Sequence, residues 1–141
     1  MKRNWKVTVT AALALMMLFS MAGCTAAPAE GLWKDAMYTE DAALGEGAKT
    51  MAVEIAAGDQ SITLTIKTDK ETVGDALMEH ELISGDVGEF GLYVKNVNGI
   101  LADYDVDGYY WAFYINGEYA MTGVDMTPIH EGENYRLERA K

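Results

Sequence analysis

The chain has 141 residues, a formal net charge of −11 and a single cysteine. So acidic a protein repels phosphate backbones and anionic lipid headgroups, which argues against nucleic-acid binding. The length suits one domain of about a hundred residues plus a leader and a tether.

The N-terminal residues have the pattern of an export signal. Lys2, Arg3 and Lys6 precede an apolar run that ends in Met21-Ala22-Gly23-Cys24. This pattern is typical of a secretory signal peptide, here residues 1–23, and its end resembles a bacterial lipobox, in which the cysteine is acylated. We therefore expect Cys24 to be lipidated and to hold the protein at the extracytoplasmic face of the cell membrane. A plain signal peptide with a chance cysteine is the alternative. Removal of the leader deletes three cations, which moves the net charge to −14.

Residues 24–49 are predicted to form a flexible tether. The segment is rich in Ala, Gly, Glu and Asp and lacks a sustained apolar period. Trp33, Met37 and Tyr38 do not fit a featureless linker, and a short helical turn packed on the domain is the alternative for them.

From Thr50 the pattern predicts a hairpin and then a helix. Two runs of alternating apolar residues flank a turn at Gly58-Asp59. The apolar positions are Met51, Val53, Ile55, Ile62, Leu64 and Ile66. Thr72 followed by Asp75 has the form of a helix N-cap, so we expect an amphipathic helix from Val73 to about Leu82 that covers a sheet. A glycine-rich connection, 85–91, follows.

The second half of the domain alternates strands and turns. Residues 92–100 are predicted to form a strand that ends in an Asn98-Gly99 turn, with a short return through Leu101. An acidic loop, 103–108, precedes an aromatic hairpin whose turn is Asn116-Gly117, a pair that favours a tight hairpin. An irregular crossing and a last strand, 134–139, complete the domain.

This order of elements predicts the fold class. Two strands, one helix and three or four short strands are the order of an α+β domain of the β-grasp type. We expect residues 50–141 to form a mixed sheet covered by one helix, with an aromatic β-hairpin and with the last strand beside the first.

Four segments of this domain resemble the transcobalamin-like C-terminal domain family. They are the stretches Thr72-Val73-Gly74-Asp75-Ala76-Leu77, Tyr93-Val94 through Asn98-Gly99, Tyr109 through Glu118, and Gly123-Val124-Asp125 with Gly132. The resemblance implies a β-grasp-like domain and a small-molecule ligand. In the cobalamin carriers of animals, a similar domain closes over the corrinoid against a separate helical domain, so cobalamin is the ligand that the resemblance suggests.

The aromatic hairpin supplies most of the predicted binding residues. Alternation places Tyr109, Trp111, Phe113 and Ile115 on one face and Tyr110 and Tyr114 on the other. The first face is expected to fill the core, with Trp111 and Phe113 mainly buried. Large rigid aromatic surfaces with polar tips also suit ligand binding. The predicted ligand-binding residues are Tyr93, Tyr110, Trp111, Tyr114 and Tyr119.

The acidic loop raises a calcium hypothesis. Asp103, Asp105 and Asp107 alternate before Gly108, as at the start of an EF-hand loop. The twelfth position of such a loop holds a bidentate Glu, but here it is Tyr114. A solvated acidic loop is the alternative.

Nothing in the sequence predicts catalysis. Ser61 and Ser84 lie in no nucleophile motif, and His80 and His130 are far apart. We therefore expect a non-enzymatic surface lipoprotein that binds a small ligand and delivers it to a transporter. The alternative is a cell-surface interaction or adhesion module, stabilised by calcium if the acidic loop binds it.

Overall fold

The computed structural model describes residues 31–141. The predicted signal peptide and Cys24 lie outside this range, so both stay predictions. Within the described part of the chain, no helix is long and apolar enough to span a bilayer.

The chain folds as a small α+β domain, as predicted, with a mixed six-stranded sheet at its centre. The spatial order of its strands is β1, β3, β2, β9, β7, β8. These strands are β1 (Ala42–Leu44), β2 (Lys49–Ala57), β3 (Gln60–Thr68), β7 (Tyr110–Ile115), β8 (Glu118–Tyr119) and β9 (Asn134–Ala140). The last strand, β9, pairs in parallel with β2, the first strand of the predicted hairpin. The expected pairing of the last strand beside the first is therefore present.

A second, three-stranded sheet is the main departure from the predicted architecture. It consists of β4 (Ile83–Gly88), β5 (Gly91–Val97) and β6 (Ile100–Leu101), all antiparallel. The predicted glycine-rich connection over 85–91 is therefore wrong for its first half. Glycine and aspartate are poor strand formers, but pairing with β5 outweighs their local preference.

The segment before residue 50 is folded, so the predicted tether is wrong for residues 31–49. A 3-10 helix, Gly31–Trp33, buries the Trp33 ring to 2% exposure, and the indole Nε1 donates a hydrogen bond to Ala57 O at 3.0 Å. Strand β1 then pairs in parallel with β3. Burial of a large aromatic ring outweighs the mobility that the Ala- and Gly-rich composition favours.

Helix α1 (Val73–Glu79) covers one face of the large sheet. The Thr72 hydroxyl accepts a hydrogen bond from Asp75 N at 3.1 Å, which confirms the predicted N-cap. Gly74 permits close packing, because a Cβ there would lie 2.8 Å from the Asp125 backbone. The helix ends three residues earlier than predicted, since Glu81 adopts a left-handed φ of 57° and β4 begins at Ile83.

The core lies between α1 and the sheet. Alternate residues of β2 and β3 point into it, as the period of two predicts. In β9, Tyr135 and Leu137 are each 1% exposed, and the Tyr135 ring stacks on Phe113 at 6.2 Å between centroids. The Tyr135 hydroxyl accepts a hydrogen bond from His130 N and donates one to Glu133.

Trp33 should contribute strongly to stability. Replacing it with Ala leaves a large cavity and removes the hydrogen bond to Ala57, so we expect Trp33→Ala to lower the free energy of unfolding by about 3–5 kcal/mol. Met37→Ala is the matched control, because Met37 is 47% exposed and its loss should cost less than about 0.5 kcal/mol. Urea denaturation of both variants measures the difference. A Trp33→Ala protein as stable as Met37→Ala would contradict the packing described here.

Candidate ligand-binding site

The aromatic hairpin forms as predicted, but its return strand is short. Asn116 and Gly117 adopt φ values of 51° and 82° in the turn, and β8 pairs with β7 only at Tyr114 and Ile115. Beyond Ala120 the chain diverges from β7 instead of continuing the sheet. The divergence leaves a space at the side of β7, between the large sheet and β5.

This space is a cavity of about 350 Å³ that opens to solvent. Its lining is mostly apolar and comes from β5, β7, β8, β9 and the segment 120–124. The lining residues are Leu92, Tyr93, Val94, Tyr110, Trp111, Phe113, Tyr119, Ala120, Met121, Thr122, Gly123, Val124 and Leu137. We call this cavity the aromatic slot. Its volume lies at the lower end of the range for small-molecule sites.

The aromatic slot brings together four of the five predicted ligand-binding residues. Tyr93, Tyr110, Trp111 and Tyr119 all line it. Tyr114 does not line it; its ring instead packs edge-on against Tyr119, 5.6 Å between centroids. Tyr114 therefore supports the slot by fixing the position of Tyr119.

Trp111 and Phe113 serve both the core and the slot. They are 7% and 8% exposed, so the prediction that both are mainly buried is confirmed. Each nevertheless presents part of its ring to the cavity. Within residues 31–141, the Trp111 Nε1 is a buried donor without a hydrogen-bond acceptor. An unpaired buried donor is unfavourable, at a cost of about 1–3 kcal/mol.

Sequence reasoning missed the aliphatic walls and the residue that fixes them. Leu92, Val94, Val124 and Leu137 line the slot but looked like ordinary core residues. Asp125 Oδ2 accepts a hydrogen bond from Leu92 N at 3.1 Å, which ties β5 to the segment after the hairpin. The available signal was the resemblance of Gly123-Val124-Asp125 to the closing segment of the transcobalamin-like family.

The acidic segment does not form the calcium loop that its spacing suggested. Residues Tyr104–Asp107 wind into a short helix, α2, and Asp103 caps its N-terminus by accepting a hydrogen bond from Asp105 N at 3.2 Å. Within residues 31–141, no group of three or more His, Cys, Asp or Glu side chains has a metal-binding arrangement. Binding of calcium by Asp103, Asp105 and Asp107 therefore stays a prediction.

Two cations from distant strands contact two of these carboxylates, Asp103 and Asp107. Lys95 Nζ lies 3.3 Å from Asp103 Oδ2 and 2.7 Å from Asp86 Oδ2. Hydrogen bonds to Asp86 and then to Asp103 raise the pKa of Lys95 above its usual value. Arg139 Nη2 contacts Asp107 Oδ2 at 3.0 Å, and its guanidinium carbon lies 3.8 Å from the Tyr109 ring centroid. These ion pairs fix the segment that leads into β7.

The comparisons with known proteins fit this fold. Residues 70–137, from just before α1 into β9, match the model of a family described as a domain of unknown function, DUF4430. A crystal structure of a candidate metal-binding protein from Ruminococcus gnavus is 28% identical. It superposes with a TM-score of 0.63 over 67% of this chain and 98% of that protein. This chain is thus similar to that protein over nearly all of the protein's length.

A second solved structure is more distant. Haptocorrin in complex with Cbi is 18% identical, with a TM-score of 0.47 over 66% of this chain and 25% of haptocorrin. The similarity therefore covers only a quarter of haptocorrin. No curated protein matches this chain.

The acid stability of the protein should depend on Asp107. The Tyr109 N–H donates to Asp107 Oδ1 at 2.9 Å, and this bond, together with the charge of Arg139, lowers the pKa of Asp107. A carboxylate whose pKa is lower in the folded state than in the unfolded state stabilises the fold at pH values above its unfolded-state pKa. This stabilisation is lost as the pH falls through the folded-state pKa. We expect Asp107→Asn to be less stable than the parent at pH 7 and to lose less stability on acidification from neutral pH to about 3.

Asp105→Asn is the control for this experiment, because Asp105 is exposed on the same short helix. Thermal melting across the pH range measures all three proteins. Equal acid sensitivity of Asp107→Asn and the parent would show that the contacts of Asp107 do not contribute to acid stability.

Proposed function

We propose that this protein is a surface lipoprotein whose aromatic slot binds a small ligand. The observation that supports the proposal best is the slot itself, where four predicted binding aromatics meet around one opening. A concave, largely apolar cavity with a few polar tips is the usual form of a small-molecule site. The role we propose is binding and not catalysis.

The exposure of the slot aromatics supports a binding role. Tyr119 and Tyr93 are 60% and 46% exposed, and Met121 beside them is 95% exposed. A tyrosine ring buried against a ligand gains apolar contact and keeps its hydroxyl free for a hydrogen bond. Methionine adds an adaptable apolar surface. These side chains would lose much of their water contact when a ligand fills the slot.

A corrinoid such as cobalamin is the ligand that we propose first, and the support is the resemblance of the domain to the transcobalamin-like family. A corrinoid is larger than the slot, so only one edge of the macrocycle would enter it. The remainder would lie over Tyr119 and Met121.

The proposal includes membrane attachment and transport. Acylation at Cys24, supported by the lipobox-like sequence Met21-Ala22-Gly23-Cys24, would hold the domain at the extracytoplasmic face of the membrane. More than one acyl chain is required for stable anchoring. From there the domain would deliver its ligand to a transporter.

Calorimetric titration of the purified protein with cobalamin tests the ligand. We expect saturable binding, and we expect Tyr119→Ala to weaken it about tenfold, because a stacked aromatic ring contributes about 0.5–1.5 kcal/mol beyond its buried area. Tyr104→Ala is the matched control, since Tyr104 is 61% exposed on α2 and does not line the slot.

Two outcomes would contradict the proposal in different ways. The absence of binding heat at high micromolar cobalamin would rule out a corrinoid as the ligand. Binding that Tyr119→Ala and Tyr104→Ala weaken equally would place the ligand outside the slot.

A further inference from the structure

Strand β4 forms an open edge of the three-stranded sheet. It pairs with β5 on one side, and no strand of the described chain lies on its other side. Its residues from Ser84 to Gly88 are all exposed. Natural edge strands are usually protected by lysine, proline, short length, a β-bulge or a covering element. Strand β4 has six residues and neither lysine nor proline, and the register shift of this strand pair lies at Ser84/Gly85, before the exposed stretch from Gly85 to Gly88.

The direction of the backbone groups of β4 follows from its register with β5 and from hydrogen bonds of the two strands. Asn98 N donates to Leu82 O at 2.7 Å, so the backbone of residue 82 faces β5, but the register shift between Ser84 and Gly85 interrupts the alternation after it. Independently, Leu92 N donates to Asp125 and so points away from β4. Its register partner Val87 therefore also points away from β5. Gly85, two residues before Val87 in the same regular stretch, points the same way, so Gly85 and Val87 present N–H and C=O groups to solvent in the alternate spacing of a β-ladder.

Apolar side chains stand beside this edge. Val87 is 84% exposed, and Phe90, in the tight turn to β5, is 92% exposed. Neither residue lines the aromatic slot. A row of unpaired backbone groups next to exposed apolar side chains is the arrangement that binds an extended peptide by strand addition.

The negative charge around the β4 edge indicates which kind of partner binds there. Residues 79–90 carry four carboxylates and no lysine or arginine. These carboxylates are Glu79, Glu81, Asp86 and Glu89, all of them exposed. Only Asp86 forms an ion pair within the described chain, with Lys95. A second copy would bring the same negative charges together, whereas a basic segment would neutralise them.

We propose that β4 binds an extended basic peptide segment of a partner protein as an additional β-strand. Backbone hydrogen bonds to Gly85 and Val87 form the ladder. Apolar side chains of the peptide contact Val87 and Phe90, and its Lys or Arg residues face the surrounding carboxylates. This interaction is separate from the aromatic slot and does not depend on the ligand proposed for it.

A proline substitution tests the backbone contact directly. Val87→Pro removes the outward N–H while leaving the bonds between β4 and β5 in place, because edge positions tolerate proline. The probe is a fluorescent peptide of alternating Lys and Val, about eight residues long, and the measurement is anisotropy with the full chain. We expect saturable binding to the parent protein and a loss of about tenfold or more in Val87→Pro. Thermal melting confirms that the variant is folded.

Val87→Ala is the matched control, because it shortens the same side chain and keeps the N–H. It should bind the peptide more tightly than Val87→Pro does. Equal losses in the two variants would show that the side chain alone matters and would overturn strand addition. The same peptide with alternate residues N-methylated should not bind, and a Glu-Val peptide should bind at least tenfold more weakly than the Lys-Val peptide.

Two further results would overturn the proposal. Equal binding of the Glu-Val and Lys-Val peptides would overturn the choice of a basic partner. A dimeric parent protein that becomes monomeric in Val87→Pro, measured by sedimentation, would identify a second copy as the occupant of the edge.

Discussion

The fold depends on the parallel pairing of β2 with β9 at the centre of the large sheet. Val53 pairs with Tyr135 and Ile55 with Leu137, and all four side chains are buried in the core. The pairing joins the N-terminal hairpin to the C-terminal strand that carries β7 on its other side. Contacts between residues about eighty positions apart raise the contact order of the domain, which slows its folding.

The slot exists because the large sheet stops early on one side. The strand β8 covers only two residues of β7, and the chain then turns towards α1, where Gly74 lets the Asp125 backbone approach. Asp125 holds β5 at the same place through the N–H of Leu92. The aromatic rings of β7 thus meet a gap between two sheets where a longer return strand would have covered them. The short strand β8 and the carboxylate of Asp125 are therefore enough to form the cavity.

Local patterns in the sequence predicted much of this fold, because they reflect interactions between residues that are close in sequence. The alternation in β2 and β3, the Thr72 cap and the Asn116-Gly117 turn each depend on neighbouring residues. The predictions were wrong where contacts between residues distant in sequence determine the local structure. Strand β4 is stable because β5 pairs with it, Trp33 is ordered because Ala57 accepts its indole hydrogen bond, and the acidic segment is held by Lys95 and Arg139. Four of the five aromatic residues predicted to bind a ligand line the slot, whereas its aliphatic walls resembled core residues in the sequence.

Burial of the Trp33 ring limits how far the domain can lie from an anchor at Cys24. The described structure begins at Gly31, so six residues separate it from that cysteine, and the seven Cα–Cα steps between Cys24 and Gly31 span at most about 25 Å. With Cys24 acylated, as we propose, the domain would stay close to the lipid surface and could not reach far above it. Its negative charge would be repelled by anionic headgroups within a distance of about 10 Å. Attachment and repulsion together would restrict the orientations in which the protein meets its partners.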